Sequence, residues 1–244
     1  CGGDLMEENM DTENRLSNIE KRQLKFFLLV AYGFTFLMGV PLGIAYNLGL
    51  DTYPFPNAQM FYPAAGVMLG CLVTGRRPGR ETPEEMGTLP RRFFIFFIVF
   101  TALMALCCFI NFALPSGSAM GTTIQSYGII GGSVLAWIFL LAAGKERRAA
   151  YGLHWSRTWL SLLMLLLFVA IYISRSFLSV ALSGLMAGYL PYWQTSAPYI
   201  LIAVLIPNFF LSFAAFFGEE YGWRYYLQPL LQKRFGLIRG TILL

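Results

Sequence analysis

Residues 93–114 read FFIFFIVFTALMALCCFINFAL, an apolar run without a charged side chain. As an α-helix, about 20 such residues cross the ~30 Å hydrocarbon core of a bilayer. The whole chain has this character, since 57% of its 244 residues are hydrophobic and 13% are charged. A soluble domain of this length could not bury that much apolar surface. The sequence therefore predicts an all-α polytopic membrane protein and excludes disordered, coiled-coil and disulfide-rich classes.

Five further apolar segments flank this run, each long enough, or nearly so, to form a transmembrane helix. In chain order the six segments are 26–50, 57–74, 93–114, 127–143, 159–182 and 198–218. A seventh begins near residue 237. The predicted fold is a truncated helical bundle of six transmembrane helices plus the start of a seventh.

The loops between these segments alternate in charge. Clusters of Lys and Arg occupy the loops 75–92, 144–158 and 225–239. The loops 51–56, 115–126 and 184–197 contain a single charge, Asp51. By the positive-inside rule, the N-terminus and the basic loops are predicted to be cytoplasmic. The net charge of +5 thus indicates topology, and we expect membrane lipids as partners and no nucleic acid.

Both ends of the sequence are unusual. Residues 1–25 are predicted to form a polar cytoplasmic tail or surface helix. The Gly-Gly pair before Met6 can be encoded by a purine-rich bacterial ribosome-binding site, so we interpret residues 1–5 as translated leader. Met6 is then the native start, with Met10 as a second candidate and a lipoprotein N-terminus as the alternative. Because the chain stops as an apolar segment begins, we expect a reading frame that is cut at both ends.

Four charged residues lie within or at the edge of the predicted spans, namely Arg175, Glu219, Glu220 and Arg224. Charges inside a bilayer are costly and usually functional. Arg175 is far along its span, near the outer interface, where its guanidinium is expected to snorkel to the headgroups. A binding role for Arg175 is the alternative, and the other three residues are the main candidates for a site.

Helical spacing separates the two glutamates. Glu220 and Arg224 are four residues apart and are predicted to form an ion pair, whereas Glu219 points elsewhere and keeps its carboxylate free. The same helical spacing places Glu219 on a small, polar stripe, as in a wet cavity wall, and Glu220 on an apolar packing face. The stripe is Asn208, Ser212 and Ala215, and the apolar face is Phe209, Phe213 and Phe216.

The glycines beside the glutamates, Gly218 and Gly222, form a small-xxx-small pair that would allow a second helix to approach closely. An ordinary charged helix end at the cytoplasmic boundary is the alternative interpretation of the whole stretch.

Residues 217–231 read FGEEYGWRYYLQPLL and closely resemble the first motif, EExxxR, of the CPBP family of CAAX proteases and bacteriocin-processing enzymes, also called the Abi family. The match includes the flanking Tyr-Gly-Trp and Leu-Gln-Pro, so it is more specific than a bare EExxxR. Tyr225 departs from the family pattern, which commonly has glycine after the arginine. The resemblance covers 198–244, which is interpreted as the N-terminal part of a CPBP domain that follows five transmembrane helices in 26–197.

Family members are multi-span intramembrane endopeptidases, described either as metal-dependent or as glutamate proteases. The resemblance implies that Glu219 activates the attacking water, with Glu220 and Arg224 in support. It also implies a peptide or protein substrate, cleavage at the cytoplasmic side of a bacterial plasma (inner) membrane, and zinc as a candidate cofactor of the full-length protein.

The family's downstream histidine motifs, FxxxH and HxxxN or HxxxD, are absent from this sequence. Its single histidine, His154, precedes the EExxxR motif and fits neither pattern. The chain as given therefore contains no complete metal site and is expected to be inactive, and we expect the frame to continue into those motifs. Two alternatives stay open, a non-catalytic scaffold or immunity protein and a small transporter that uses Glu219.

Overall fold

The computed structural model describes residues 16–78, 84–115, 117–143 and 157–244, which are mostly helical. The chain divides into two compact units. The first combines residues 1–152 with 211–244, and the second comprises residues 153–210. The candidate residues Glu219, Glu220 and Arg224 all belong to the first unit.

Within its described residues, the N-terminal part of the first unit contains six helices. They are α1 (Asn18–Leu28), α2 (Thr35–Asn47), α3 (Pro54–Gln59), α4 (Tyr62–Thr74), α5 (Thr88–Cys107) and α6 (Met120–Ala142). A π-helical turn, Leu29–Phe34, joins α1 to α2, and a 3₁₀ turn, Ile110–Ala113, follows α5. Two short antiparallel strands, β1 (Arg76–Arg77) and β2 (Glu84–Glu85), lie between α4 and α5.

Two glycines of α4 bring its backbone into contact with that of α1. A Cβ atom added at Gly66 would lie 3.0 Å from the Cα of Phe27, and one added at Gly70 would lie 3.0 Å from the Cα of Gln23. Residue numbers rise in opposite directions along the two helices, so α4 runs antiparallel to α1. The two glycines allow the backbones to touch, as small residues do in membrane helix pairs.

Polar contacts bring the start of α1 and the end of α4 to the same end of the unit. Gln23 is buried, and its Nε2 donates hydrogen bonds to Thr74 Oγ1 and to the carbonyl oxygen of Arg76, both at 2.9 Å. Ser17 and Glu20 form a capping box at the start of α1, which satisfies backbone N–H groups there. The predicted boundary after residue 25 falls inside α1, because residues 18–25 form the first turns of that helix.

A second polar cluster marks the opposite end of the unit. Asn111 Nδ2 donates to the carbonyl oxygen of Asp51 at 3.3 Å, and Asn111 Oδ1 accepts from the N–H of Gly121 at 2.9 Å. The Thr122 hydroxyl donates to the Asp51 carboxylate. The buried Gln125 donates from Nε2 to the Pro54 carbonyl oxygen at 2.8 Å. Asp51 is thus fixed where three loops meet.

The second unit contains three helices in its described part, residues 157–210. These are α7 (Thr158–Leu182), α8 (Met186–Tyr192) and α9 (Ala197–Leu211), whose last residue belongs to the first unit. No residue of α7 is buried. The guanidinium of Arg175 lies 5.3 Å from the centroid of the Tyr172 ring, a cation–π contact. Its predicted snorkelling to the outer headgroups stays a prediction.

The C-terminal part of the first unit consists of α10 (Phe213–Glu220), a π-helical turn (Tyr221–Leu227), α11 (Gln228–Phe235) and α12 (Leu237–Ile242). Gly236 has a φ of +81°, a left-handed conformation that glycine adopts freely, and it reverses the chain between α11 and α12. Gln232 Nε2 then donates to Thr241 Oγ1 at 3.0 Å. Lys233 joins this part to α1 through an ion pair with Glu20 at 2.8 Å.

The predicted helical character is confirmed, and the predicted number of spans is not. Four stretches of the described chain are long and apolar enough to cross a membrane, namely Asn18–Asn47, Thr88–Ala113, Met120–Ala142 and Thr158–Leu182. Counting Ala197–Leu211 together with Phe213–Phe235 gives five. These helices suggest a membrane protein.

One predicted span differs from the structure, and the start of a seventh is not confirmed. The segment 57–74 is divided between α3 and α4, because the chain leaves the helix at Met60 and Phe61. The apolar segment that begins near residue 237 forms α12, whose Thr241 accepts a hydrogen bond from Gln232 of α11, and a seventh span is not confirmed.

Candidate functional site

Glu219 and Glu220 are the last two residues of α10, and Arg224 lies one turn later in the π-helical turn. The predicted ion pair is confirmed, because Arg224 Nη1 contacts Glu220 Oε1. Both side chains are largely exposed, 67% for Arg224 and 52% for Glu220. The pair therefore lies at the surface of the unit.

Glu219 lies in a different environment. It is half-buried, and within the described ranges its carboxylate makes no hydrogen bond and no ion pair. It lines an open pocket of about 580 Å³. The pocket is lined by Tyr32, Glu219, Glu220, Trp223, Arg224, Thr241 and Leu244. Because Glu220 balances the charge of Arg224, Glu219 leaves the pocket with one unmatched carboxylate.

The two glycines of the motif fix the orientation of this helix. A Cβ atom at Gly218 would lie 2.5 Å from the carbonyl oxygen of Met60, and one at Gly222 would lie 2.2 Å from the Cβ of Pro63. The small-xxx-small prediction is confirmed, and its partner is the junction of α3 and α4. The glycine face is pressed against that junction, so the glutamates are held on another face.

Large aromatic side chains bury a further face of this helix. Phe217 lies 5.7 Å from both Phe93 and Phe97, measured between ring centroids, and Tyr221 stacks on it at 5.1 Å. Phe217 and Tyr221 are both buried. Aromatic burial of this kind is a large source of packing energy, so the helix that carries the site is well anchored.

Two aromatic residues complete the pocket wall. The Trp223 ring meets the Tyr32 ring edge to face, with centroids 5.5 Å apart. Trp223 belongs to the motif, but Tyr32 comes from the π-helical turn after α1. The sequence analysis did not identify Tyr32, and no local pattern marks it, since the contact joins distant parts of the chain.

The predicted polar stripe upstream of Glu219 is wrong, because the helix is interrupted at Ser212. Ser212 has φ −105° and ψ 11°, and α10 begins only at Phe213. The helical phase is therefore not carried across this residue. Ala215 is buried in the core and not on a cavity wall, and Phe216, on the predicted packing face, is exposed. Asn208 and Phe209 belong to the second unit.

The residues of the pocket do not fit a zinc ion by themselves. Catalytic zinc takes three protein ligands, whereas this pocket offers two carboxylates, one of which pairs with Arg224. No group of three or more His, Cys, Asp or Glu able to hold a metal occurs in the part of the chain that the structure describes. His154 and the basic loop around it lie outside the described residues, as does the tail before residue 16.

No family model matches the chain, and neither a curated protein nor a solved structure matches it. The resemblance to the CPBP family therefore rests on the residues of the EExxxR motif and their flanks.

Proposed function

We propose that this protein is an intramembrane endopeptidase of the CAAX-protease and bacteriocin-processing type, with Glu219 as its general base. One observation carries the proposal: Glu220 pairs with Arg224, while Glu219 stays unpaired in an open pocket. This division of roles is what the EExxxR resemblance implies. A free carboxylate beside a paired one is the arrangement that base catalysis needs, since the base must be available to water.

The proposed reaction uses the Glu219 carboxylate twice. It accepts a proton from a water molecule in the pocket, and the oxygen of that water attacks the peptide carbonyl carbon. When the tetrahedral intermediate collapses, the C–N bond breaks, and protonated Glu219 returns the proton to the leaving amine. Arg224 pairs with Glu220 and not with the base, so the Glu219 carboxylate stays available to water.

The oxyanion of this intermediate needs hydrogen-bond donors. The resemblance assigns that task to histidines on further spans, and His154 is the one histidine of the 244 residues. We therefore propose that activity requires histidines from residues outside this sequence.

Cleavage by purified protein tests the proposal. The protein from its complete reading frame, reconstituted in proteoliposomes, is expected to cleave a quenched fluorescent peptide library. The 244-residue chain alone is expected to show no cleavage above an empty-liposome control. The protease proposal is refuted if the complete protein cleaves nothing, and the histidine requirement is refuted if the short chain cleaves. A transporter or a scaffold would give no cleavage with either protein.

We further propose a multi-pass protein of the bacterial inner membrane with a cytoplasmic N-terminus. Contacts in the first unit support this orientation. The end marked by Gln23 and Arg76 also holds the Glu20–Lys233 pair, so the start of α1, the β1 strand and α11 share one end. The opposite end, at Asn111 and Gly121, has Asp51 as the one charge of its loops. The basic end is expected to be cytoplasmic.

Reporter fusions check this topology. Fusions near residues 85 and 150 are expected to report the cytoplasm, and fusions near residues 120 and 190 the outside. Although α3 and α4 are separate helices, the antiparallel packing of α4 on α1 returns the chain to its starting side. A cytoplasmic signal from residue 120, with a normal signal from residue 85, would overturn the map.

A further inference from the structure

Two π-helical turns meet beside Glu219. One follows α1 at Leu29–Phe34, and the other follows α10 at Tyr221–Leu227. Each contributes one aromatic residue to the pocket, Tyr32 from the first turn and Trp223 from the second. Turns of this type are rare and are often found at functional sites, because the extra residue redirects a side chain.

Packing against a buried aromatic residue fixes the position of the Trp223 ring. Phe27 is completely buried and meets Trp223 edge to face, with centroids 5.2 Å apart. The Phe27 ring also packs on Tyr226 at 5.6 Å. Trp223 is therefore held between buried Phe27 and Tyr32, and Tyr32 is 44% exposed. The rings of Tyr32 and Trp223 together form an aromatic wall of the pocket. Packing on Phe27 holds Trp223 in place, and Tyr32 is partly exposed.

The chemistry of this wall selects among side chains. Aromatic rings bind another ring in edge-to-face or offset geometry, beyond the gain from burying its surface. They also bind cations, but a cationic side chain would pair with Glu219 and occupy the carboxylate that the proposed reaction needs. An uncharged ring gains from the wall and leaves Glu219 free.

We propose that Tyr32 and Trp223 are specificity-determining residues that hold an uncharged aromatic side chain of the peptide substrate beside Glu219. This inference rests on the proposed function, since the wall lies in the pocket of the proposed base. It assigns a role to Tyr32, which lies outside the EExxxR motif. Phe27 is a positioning residue, because it acts through Trp223.

Peptide binding tests the inference without needing cleavage. The probes are three capped hexapeptides that differ at one central position, which is Phe, Ala or Lys among alanines. Binding to the 244-residue chain in lipid nanodiscs is measured by isothermal titration. The Phe peptide is expected to bind about tenfold more tightly than the Ala peptide. Tighter binding of the Lys peptide, or no binding of any peptide, would overturn the inference.

Variants of Tyr32 test whether this residue accounts for the tighter binding of the Phe peptide. Tyr32→Ala is expected to weaken binding of the Phe peptide roughly three- to tenfold and to leave the Ala peptide unchanged, and Tyr32→Phe should restore binding. Tyr46→Ala is the matched control, because Tyr46 is a 77% exposed tyrosine of the neighbouring helix α2 and does not line the pocket. Equal effects of Tyr32→Ala and Tyr46→Ala would refute the role of Tyr32.

The two proposals fail in different experiments. In the complete protein, Tyr32→Ala should raise KM for the Phe peptide and leave kcat nearly unchanged, since it removes binding and not the base. Selective binding without any cleavage by the complete protein would refute the protease and support the aromatic wall. Cleavage with no preference for the Phe peptide, in either KM or binding, would support the protease and refute the role of Tyr32 and Trp223.

Discussion

Replacing Glu219 by glutamine is expected to lower peptide cleavage by the complete protein at least about 100-fold, within the range that general-base catalysis contributes. The amide keeps the size and polarity of the carboxylate but cannot accept a proton from water. Glu219 makes no hydrogen bond or ion pair in the described chain, so its replacement should leave the thermal unfolding temperature unchanged. The measurement is kcat per folded molecule, together with a melting curve.

Variants of the Glu220–Arg224 pair provide the comparison with Glu219→Gln. Glu220→Ala and Arg224→Ala should each change the free energy of unfolding by less than about 1 kcal/mol, because more than half of each side chain is exposed and exposed pairs contribute little. A loss of about 3–5 kcal/mol in either variant would show that lipid, and not water, covers the pair. If Glu219→Gln cleaves normally and Glu220→Gln is inactive, the two roles must be exchanged.

The features that could be predicted from the sequence are local ones. The Glu220–Arg224 pair depends on a four-residue separation, which any regular helical turn preserves. The approach of another helix to Gly218 and Gly222 depends on the same spacing and on the lack of side chains. Apolar length likewise identified α5, α6 and α7 as candidate spans, since about 20 apolar residues are needed for crossing.

The features that the sequence did not predict depend on interruptions and on distant contacts. The interruption between α3 and α4 has a local signal, because Pro63 lies in the first turn of α4, where proline is favoured. The apolar pattern nevertheless predicted one continuous segment, 57–74. The interruption at Ser212 has no comparable signal, and it invalidates any helical phase that is carried from residue 208 to residue 219.

The pocket itself could not be predicted from spacing. Tyr32, Thr241 and Leu244 reach it only because α1 packs along α4 and α12 folds back on α11. Those contacts join residues that are far apart in sequence or separated by the reversal at Gly236. A motif therefore identified the charged residues of the site, and packing determined which uncharged residues surround them.

Replacing Gly222 by alanine is expected to destabilise the protein by about 1–3 kcal/mol, the usual range for an overpacked core. The added methyl group would lie 2.2 Å from the Cβ of Pro63 and 2.6 Å from its carbonyl carbon. These atoms belong to a proline ring and to the backbone, so they cannot move aside as a flexible side chain would. The π-helical turn must then shift away from α4, taking Trp223 and Arg224 with it.

Gly43→Ala is the matched control for this effect. Gly43 lies inside α2, and a Cβ atom there would meet nothing within 4 Å. Alanine is favoured over glycine in a helix by up to about 1 kcal/mol, so this variant should melt at or slightly above the wild-type temperature. Melting curves of both variants in one detergent give the comparison. If Gly222→Ala has the same melting temperature as Gly43→Ala, the contact between the motif and α4 is loose. The orientation of Glu219 then does not depend on that contact.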